Sequence, residues 1–199
     1  MGKPVLYHMP QSRGATTLWM NEELGQVCDI KLLNLKAGEQ KQPDYLKLNP
    51  MGKVPALSHD GAVVTEAAAI CAYLADAFPD AGLAPATTDP LRGVYYRWMF
   101  FAPSCIEPMM LDKLSKATRE NSGATGHGTE ESVLSAIKSA LVNGPFILGE
   151  TFSAADVVFG STLNFAIMFG AIANEDPYKS YVERLRERPA FIRAQEMNT

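Results

Sequence analysis

The chain reads as an α+β protein of two domains, an N-terminal one that mixes strands with helices and a C-terminal one that is all helix. Three observations predict this. Short β-rich runs alternate with helical stretches as far as Phe78; Pro79, Gly82, Pro85 and Pro90 then interrupt a segment with no periodicity; and from Leu91 onward the apolar residues recur at helical spacing. The expected boundaries are a first domain over residues 1–80, a linker over 81–88 and a helical domain over 89–199.

Val5-Leu6-Tyr7-His8 reads as the first strand. Pro10-Gln11-Ser12-Arg13-Gly14 makes a turn, and a helix follows through Leu18, Trp19, Glu22 and Glu23 to Gly25. Ile30 to Leu35 predicts a second strand, which makes a βαβ unit with a right-handed crossover. Lys36 to Lys47 is polar and is expected to be irregular. Val54-Pro55-Ala56-Leu57 begins a third strand, Asp60-Gly61 favours a two-residue hairpin turn, and Ala62-Val63-Val64 returns as the partner. Pro55 stands at the strand start, where a missing amide is tolerated. Glu66 opens a helix whose apolar positions are Ala67, Ile70, Cys71 and Leu74.

In the second half, Leu91, Val94, Tyr95 and Trp98 form one apolar stripe, and Val133, Ala136, Ile137, Ala140 and Leu141 form another. Asn121 to Gly128, with three glycines, is the expected loop between them. Ser153-Ala154-Ala155-Asp156 fits a capping box at the start of the next helix, worth about 0.5–2 kcal/mol. Val157 to Ala173 is the most apolar stretch; it is shorter than a membrane span and is expected as a buried helix. Tyr178, Tyr181, Val182 and Leu185 pack a last region that Pro189 closes.

Composition narrows the function classes. A formal net charge of −4 and a pI near 5.4 give no basic footprint, so neither nucleic acid nor an anionic membrane is an expected partner. Cys28, Cys71 and Cys105 are far apart, lack metal-ligand spacing and read as reduced, buried thiols. No signal peptide is indicated at the start.

The run Gly52-Lys53-Val54-Pro55-Ala56-Leu57, followed by Thr65-Glu66-Ala67-Ala68-Ala69-Ile70, resembles the glutathione-binding core of the cytosolic glutathione transferases. Thr151-Phe152-Ser153-Ala154-Ala155-Asp156 matches a folding signature of the family's second domain. The resemblance runs over nearly the whole chain. It implies a thioredoxin-like βαβαββα domain, glutathione as co-substrate without a metal, a small hydrophobic electrophile, a homodimer, a cytoplasmic setting and a detoxification role. It also implies a cis bond between Val54 and Pro55, Val54 backbone groups on the cysteinyl part of glutathione, and Glu66 on its γ-glutamyl end. The family usually has Ser where this chain has Ala67, so one hydroxyl contact is missing.

Sulfur chemistry needs a thiolate, and a free thiol has a pKa of about 8.5. Lowering it by two units takes roughly 2.7 kcal/mol of preference for the anion. A hydroxyl donor at a helix N-terminus suits that task, because its hydrogen bond and the helix dipole both favour negative charge. Ser12 occupies such a place. Tyr7 and a backbone amide are the alternatives, and the Arg that serine-type members carry four residues later is Thr16 here, with Arg13 beside the serine instead. No cysteine lies in this turn, which argues against the disulfide-exchanging branches. Lys53, Gln40 and Lys41 are candidates for the glycine carboxylate of glutathione. Tyr95, Trp98, Phe101 and Cys105 are candidates for an electrophile pocket, although a stripe of that spacing is commonly plain core. His8, His59 and His127 are expected to be ordinary polar residues. The function so implied is a glutathione transferase; a glutathione-dependent peroxidase, isomerase or dehalogenase, or a non-catalytic glutathione-binding protein, would use the same core.

Overall fold

The structure, a computed structural model, describes residues 2–118 and 122–199, and it divides into two compact units. The first comprises residues 1–81 together with Arg188–Thr199, and the second Gly82–Glu187. In chain order the first unit contains β1 (Val5–His8), α1 (Gly14–Glu23), β2 (Asp29–Leu32), α2 (Pro43–Leu48), β3 (Ala56–His59), β4 (Ala62–Thr65) and α3 (Ala67–Ala77). The second contains α4 (Leu91–Phe101), α5 (Glu107–Ser115), α6 (Glu130–Leu141), α7 (Ala154–Met168) and α8 (Tyr178–Arg186). The last helix, α9 (Pro189–Met197), returns to the first unit.

The four strands lie in the order β2-β1-β3-β4, with β1 and β2 parallel and the other two pairings antiparallel. This is the thioredoxin-like arrangement. Leu6 and Leu57 face each other in the buried middle of the sheet, and the alternation of buried with half-buried positions along β1 fixes its register. α1 is buried along almost its whole length because β1, α3 and α9 pack around it.

Some details differ from the sequence reading. The second strand ends at Leu32, since Leu33 turns inward to pack with Tyr45 and Ala56. Residues 36–47, read as irregular, contain a single 3-10 turn at Glu39–Lys41 and most of α2, which Pro43 starts at a position where its missing N–H is harmless. Leu91 and Val94 are exposed, and the buried stripe of α4 is Arg92, Tyr95, Trp98 and Met99. Cys105 is only partly buried. The expected loop from Asn121 begins outside the described residues, and residues 122–124 form a 3-10 turn.

The largest difference concerns the chain end, which the sequence reading assigned to the helical domain. Arg188 makes a bidentate pair with Glu23, at 2.7 and 2.8 Å, and Arg193 reaches the buried Glu22 at 2.8 Å. Phe191 packs edge-on against Trp19, 5.0 Å between ring centres. A buried carboxylate needs such a partner, since leaving it unpaired costs several kcal/mol.

The second unit is built on α7, which is buried on nearly every face and packs against α4 and α8. Gly160 permits the close approach of α8: a Cβ there would lie 2.2 Å from Leu185 Cδ1. α4 passes into α5 through a π-helical turn, Ala102–Ile106. Pro103 lacks an N–H and would crowd a regular α-turn, so the widened turn accommodates it. Among the described residues, no helix is long and apolar enough to cross a membrane.

Ser153 caps α7, and Asp156 completes the capping box. The carboxylate of Asp156 accepts from the amides of Ile147 and Ser153, at 2.7 and 2.9 Å, and from the hydroxyls of Ser153 and Tyr181, at 3.2 and 2.9 Å. Burial pushes its carboxyl up to about 6, while these four hydrogen bonds pull the other way. The folded chain therefore keeps a proton that the unfolded chain has released between about pH 4 and pH 6. Stability should fall as pH rises through that window, by up to ~3 kcal/mol. Urea denaturation of the wild type and Asp156→Asn at pH 4, 5, 6 and 7 isolates this effect, because the other carboxylates cancel in the difference. A difference that does not vary with pH would show that Asp156 does not titrate there.

Candidate active site

Antiparallel pairing sets the geometry of the first unit. Tyr7 on β1 is opposite Ala56 on β3, and Ala56 is opposite Thr65 on β4. The turn after β1, the segment before β3 and the residue after β4 therefore meet at one end of the sheet. Those three places hold Ser12, Lys53-Val54-Pro55 and Glu66-Ala67.

Ser12 lies just before α1 and is half-buried. Its Oγ donates to the Met9 carbonyl at 2.6 Å and accepts from the Gly14 amide at 3.0 Å, so it satisfies one of the orphan amides of the helix start. Behind the turn is His8, almost fully buried, whose ring nitrogens lack a hydrogen bond among the described residues. Burial holds this imidazole below its usual pKa. Gly14 is required here, since a Cβ would come within 2.5 Å of His8 Nδ1. The sequence reading passed over His8 because nothing near it in the chain signals burial. His59 is buried too, hydrogen-bonded to the Tyr73 hydroxyl and the Gly2 carbonyl, and His127 lies 3.3 Å from Asp112. Tyr7, the other hydroxyl considered, packs edge-on against Tyr45 beside the cluster of Leu33, Tyr45 and Ala56.

The peptide between Lys53 and Val54 is held from below. Tyr45 and Asn49 both donate to the Lys53 carbonyl, the hydroxyl at 2.5 Å and the amide at 2.8 Å. Asn49 also accepts from the Met51 amide at 3.0 Å through its side chain and from the Gly52 amide at 2.8 Å through its carbonyl. The Val54–Pro55 bond is cis. The β3 ladder begins at Ala56, so Val54 is not one of its rungs. Lys41 Nζ donates to the Met51 carbonyl at 3.1 Å, and Gln40 Nε2 to the Leu35 carbonyl at 3.3 Å. Gly52 has φ +59, and a Cβ there would lie 2.7 Å from Lys41 Nζ and 2.8 Å from the Gln40 carbonyl. Gln40 and Lys41 thus stand against the 51–53 segment, and the Lys53 residue itself is exposed.

Glu66 has φ +68, a region that costs a non-glycine residue about 1–3 kcal/mol. It precedes α3 without capping it through its side chain, and it is exposed. Its carboxylate is therefore not committed to the helix. Ala67, the first residue of α3, offers only its backbone.

The four pocket candidates lie in the other unit. Tyr95 and Trp98 are buried there, with Trp98 against Phe101 and Phe159 at 5.3 and 5.6 Å between ring centres. Phe101 and Cys105 are partly exposed. Among the described residues, no group of three or more His, Cys, Asp or Glu could hold a metal ion.

The first unit is thus thioredoxin-like in its sheet order, and the second is helical. Residues 4–76 match the family model described as the glutathione S-transferase N-terminal domain. Glutathione S-transferase A of Pleuronectes platessa is 26% identical over 184 residues, covering 86% of this chain and 81% of that one. A glutathione transferase homologue from Sulfitobacter, solved with bound glutathione, superposes with a TM-score of 0.77 at 26% identity and 99% coverage of both chains. A glutathione transferase from Methylococcus capsulatus gives 0.80 at 27% identity and 98% coverage of both. Residues 4–76 carry the N-terminal domain of that family, and the chain is similar to glutathione S-transferases along most of its length.

Tyr45 and Asn49 escaped the sequence reading. Tyr45→Phe removes a single hydrogen bond and should cost about 1 kcal/mol, whereas Asn49→Ala removes two from a buried position and should cost about 1–3 kcal/mol. Urea denaturation midpoints would rank them. The reverse order would mean that the tyrosine hydroxyl, and not Asn49, carries the loop.

Proposed function

We propose that the chain is an enzyme that binds glutathione at the end of its sheet, holds its sulfur as thiolate and adds it to a hydrophobic electrophile. The observation that carries this reading is the register Tyr7–Ala56–Thr65, which gathers the Ser12 turn, the Val54 backbone and the Glu66 carboxylate at one place. Each group matches a part of the tripeptide. The amide and carbonyl of Val54 suit an extended backbone paired as an extra strand. Glu66 supplies an uncommitted anion for the ammonium of the γ-glutamyl end. Lys53 and Lys41 supply positive charge, with Gln40 beside them, for the glycine carboxylate.

The sulfur then falls to the Ser12 turn. The Ser12 hydroxyl turns its hydrogen from the Met9 carbonyl to the sulfur while it keeps the Gly14 amide on its lone pair. The thiol proton leaves to solvent, and the thiolate attacks the electrophilic carbon, forming a carbon–sulfur bond as that carbon's bond to its leaving group breaks and the group departs as an anion, or as its π bond opens and the resulting anion takes a proton from solvent. Phe101 and Cys105, both partly exposed, are the candidates that an electrophile could touch directly, and Trp98 backs Phe101 from the helical core.

Ser12→Ala tests the assignment. A hydrogen bond to a charged group contributes about 1.5–3 kcal/mol, so the pKa of bound glutathione should rise by roughly one to two units. Its dissociation constant at low pH, where the thiol is neutral, should hardly change. Thiolate absorbance titrated against pH measures the first and calorimetry the second. Overlapping titrations would assign the sulfur to a backbone amide or another hydroxyl.

We also propose that the chain works as a homodimer. Leu91 and Val94 share a face of α4 at i and i+3, and both are exposed, at 46% and 40%. Light scattering should return about twice the 21.7 kDa of the chain. A mass near that of one chain would remove the claim.

A further inference from the structure

We infer that Asn198, at the very end of the chain, is a positioning residue for the Ser12 turn. The inference rests on the reading of Ser12 as the group that faces the sulfur. Pro10 and Gln11 lead from β1 to Ser12, and Gln11 sits at φ +56. That conformation normally falls to glycine or asparagine, so a glutamine there must be held. Ser12 and Gly14 are tied within the turn, but the Gln11 amide is bound from afar: it donates to Asn198 Oδ1 at 3.1 Å, across 187 positions of sequence.

The acceptor is itself fixed. Asn198 is half-buried, and its own amide donates to the Gln195 carbonyl at 3.1 Å, closing the end of α9. α9 runs antiparallel to α1: Arg188 pairs with Glu23 at the far end of α1, Arg193 with Glu22, and Asn198 reaches the residues that precede its start. Trp19 strengthens the far end by donating to Glu23 at 2.8 Å while its ring meets Phe191. The helix is therefore a strut with two charged anchors, and the anchored body carries one carbonyl oxygen to the residue beside Ser12. If that oxygen is lost, Gln11 can relax toward negative φ, and the direction of the Ser12 hydroxyl changes with it.

The test uses the full chain with glutathione bound. Asn198→Leu keeps the bulk and removes the acceptor, while Asn198→Asp keeps an accepting oxygen in the same place. Asn198→Leu should speed hydrogen exchange at the Gln11 amide and raise the pKa of bound glutathione by about half a unit, roughly a threefold loss of thiolate below that pKa. The thermal midpoint and the low-pH dissociation constant should stay as in the wild type, and Asn198→Asp should restore both altered readouts. Added to Ser12→Ala, Asn198→Leu should cause no further shift. If Ser12→Ala shifts the titration and Asn198→Leu leaves it alone, the inference is wrong while the Ser12 reading stands. If neither shifts it, the Ser12 reading has failed and takes the inference with it. An equal shift from Asn198→Leu with or without the Ser12 hydroxyl would also overturn the inference, by showing that Asn198 acts through another route.

Discussion

The candidate site of the first unit depends on one constraint, the pairing of β1, β3 and β4 in the register Tyr7–Ala56–Thr65. A slip of one residue would turn Leu6 and Leu57 out of the core, which makes the register a consequence of burial. The same slip would separate Val54, Glu66 and the turn after His8. Hydrophobic packing in the middle of the sheet thus fixes the spacing of polar groups at its end, and the chemistry needs no scaffold of its own.

The polar groups at that end divide by what they hold. Tyr45 and Asn49 are turned inward and committed to the Lys53 carbonyl, while Glu66 and Lys53 are exposed. Gln11 and Glu66 both have positive φ without being glycine, and each adjoins a candidate contact. Such conformations persist only where the surroundings over-determine them. For Glu66 the surroundings are the end of β4 and the start of α3; for Gln11 they include the far end of the chain.

Legibility in the sequence followed the range of the interactions. The hairpin, its turn at Asp60-Gly61 and the capping box at Ser153 were readable because each is closed within a few residues. So were the cis bond between Val54 and Pro55 and the helix that follows Glu66, which lie in one short motif. Leu91 and Val94 were misjudged because helical spacing marks an apolar face without saying whether it is covered. α2 was missed because Pro43-Asp44-Tyr45 opens a helix of only six residues in polar company, and Tyr45 alone of them is buried. The role of α9 was out of reach for a different reason: Glu22 and Glu23 lie on a buried helix, and their partners stand more than 160 residues away.

That distance bears on how the first unit is completed. Its two parts are separated by the whole of Gly82–Glu187, so docking α9 on α1 closes a very long loop. The entropic cost of closure grows only as the logarithm of loop length, and the segment in between is already compact, with α7 buried at its centre and its own capped start. Closure therefore brings together two points on an ordered body more than it restrains a free chain. Two arginines and one phenylalanine then help to hold the helix, because each meets a prepared partner: the bidentate Glu23, the buried Glu22 and the ring of Trp19. The arrangement ties the order of the chain end to α1 itself, and α1 is the helix whose start carries Ser12. A disturbance at the terminus thus has a short physical route to the candidate sulfur site, along one helix and through one hydrogen bond.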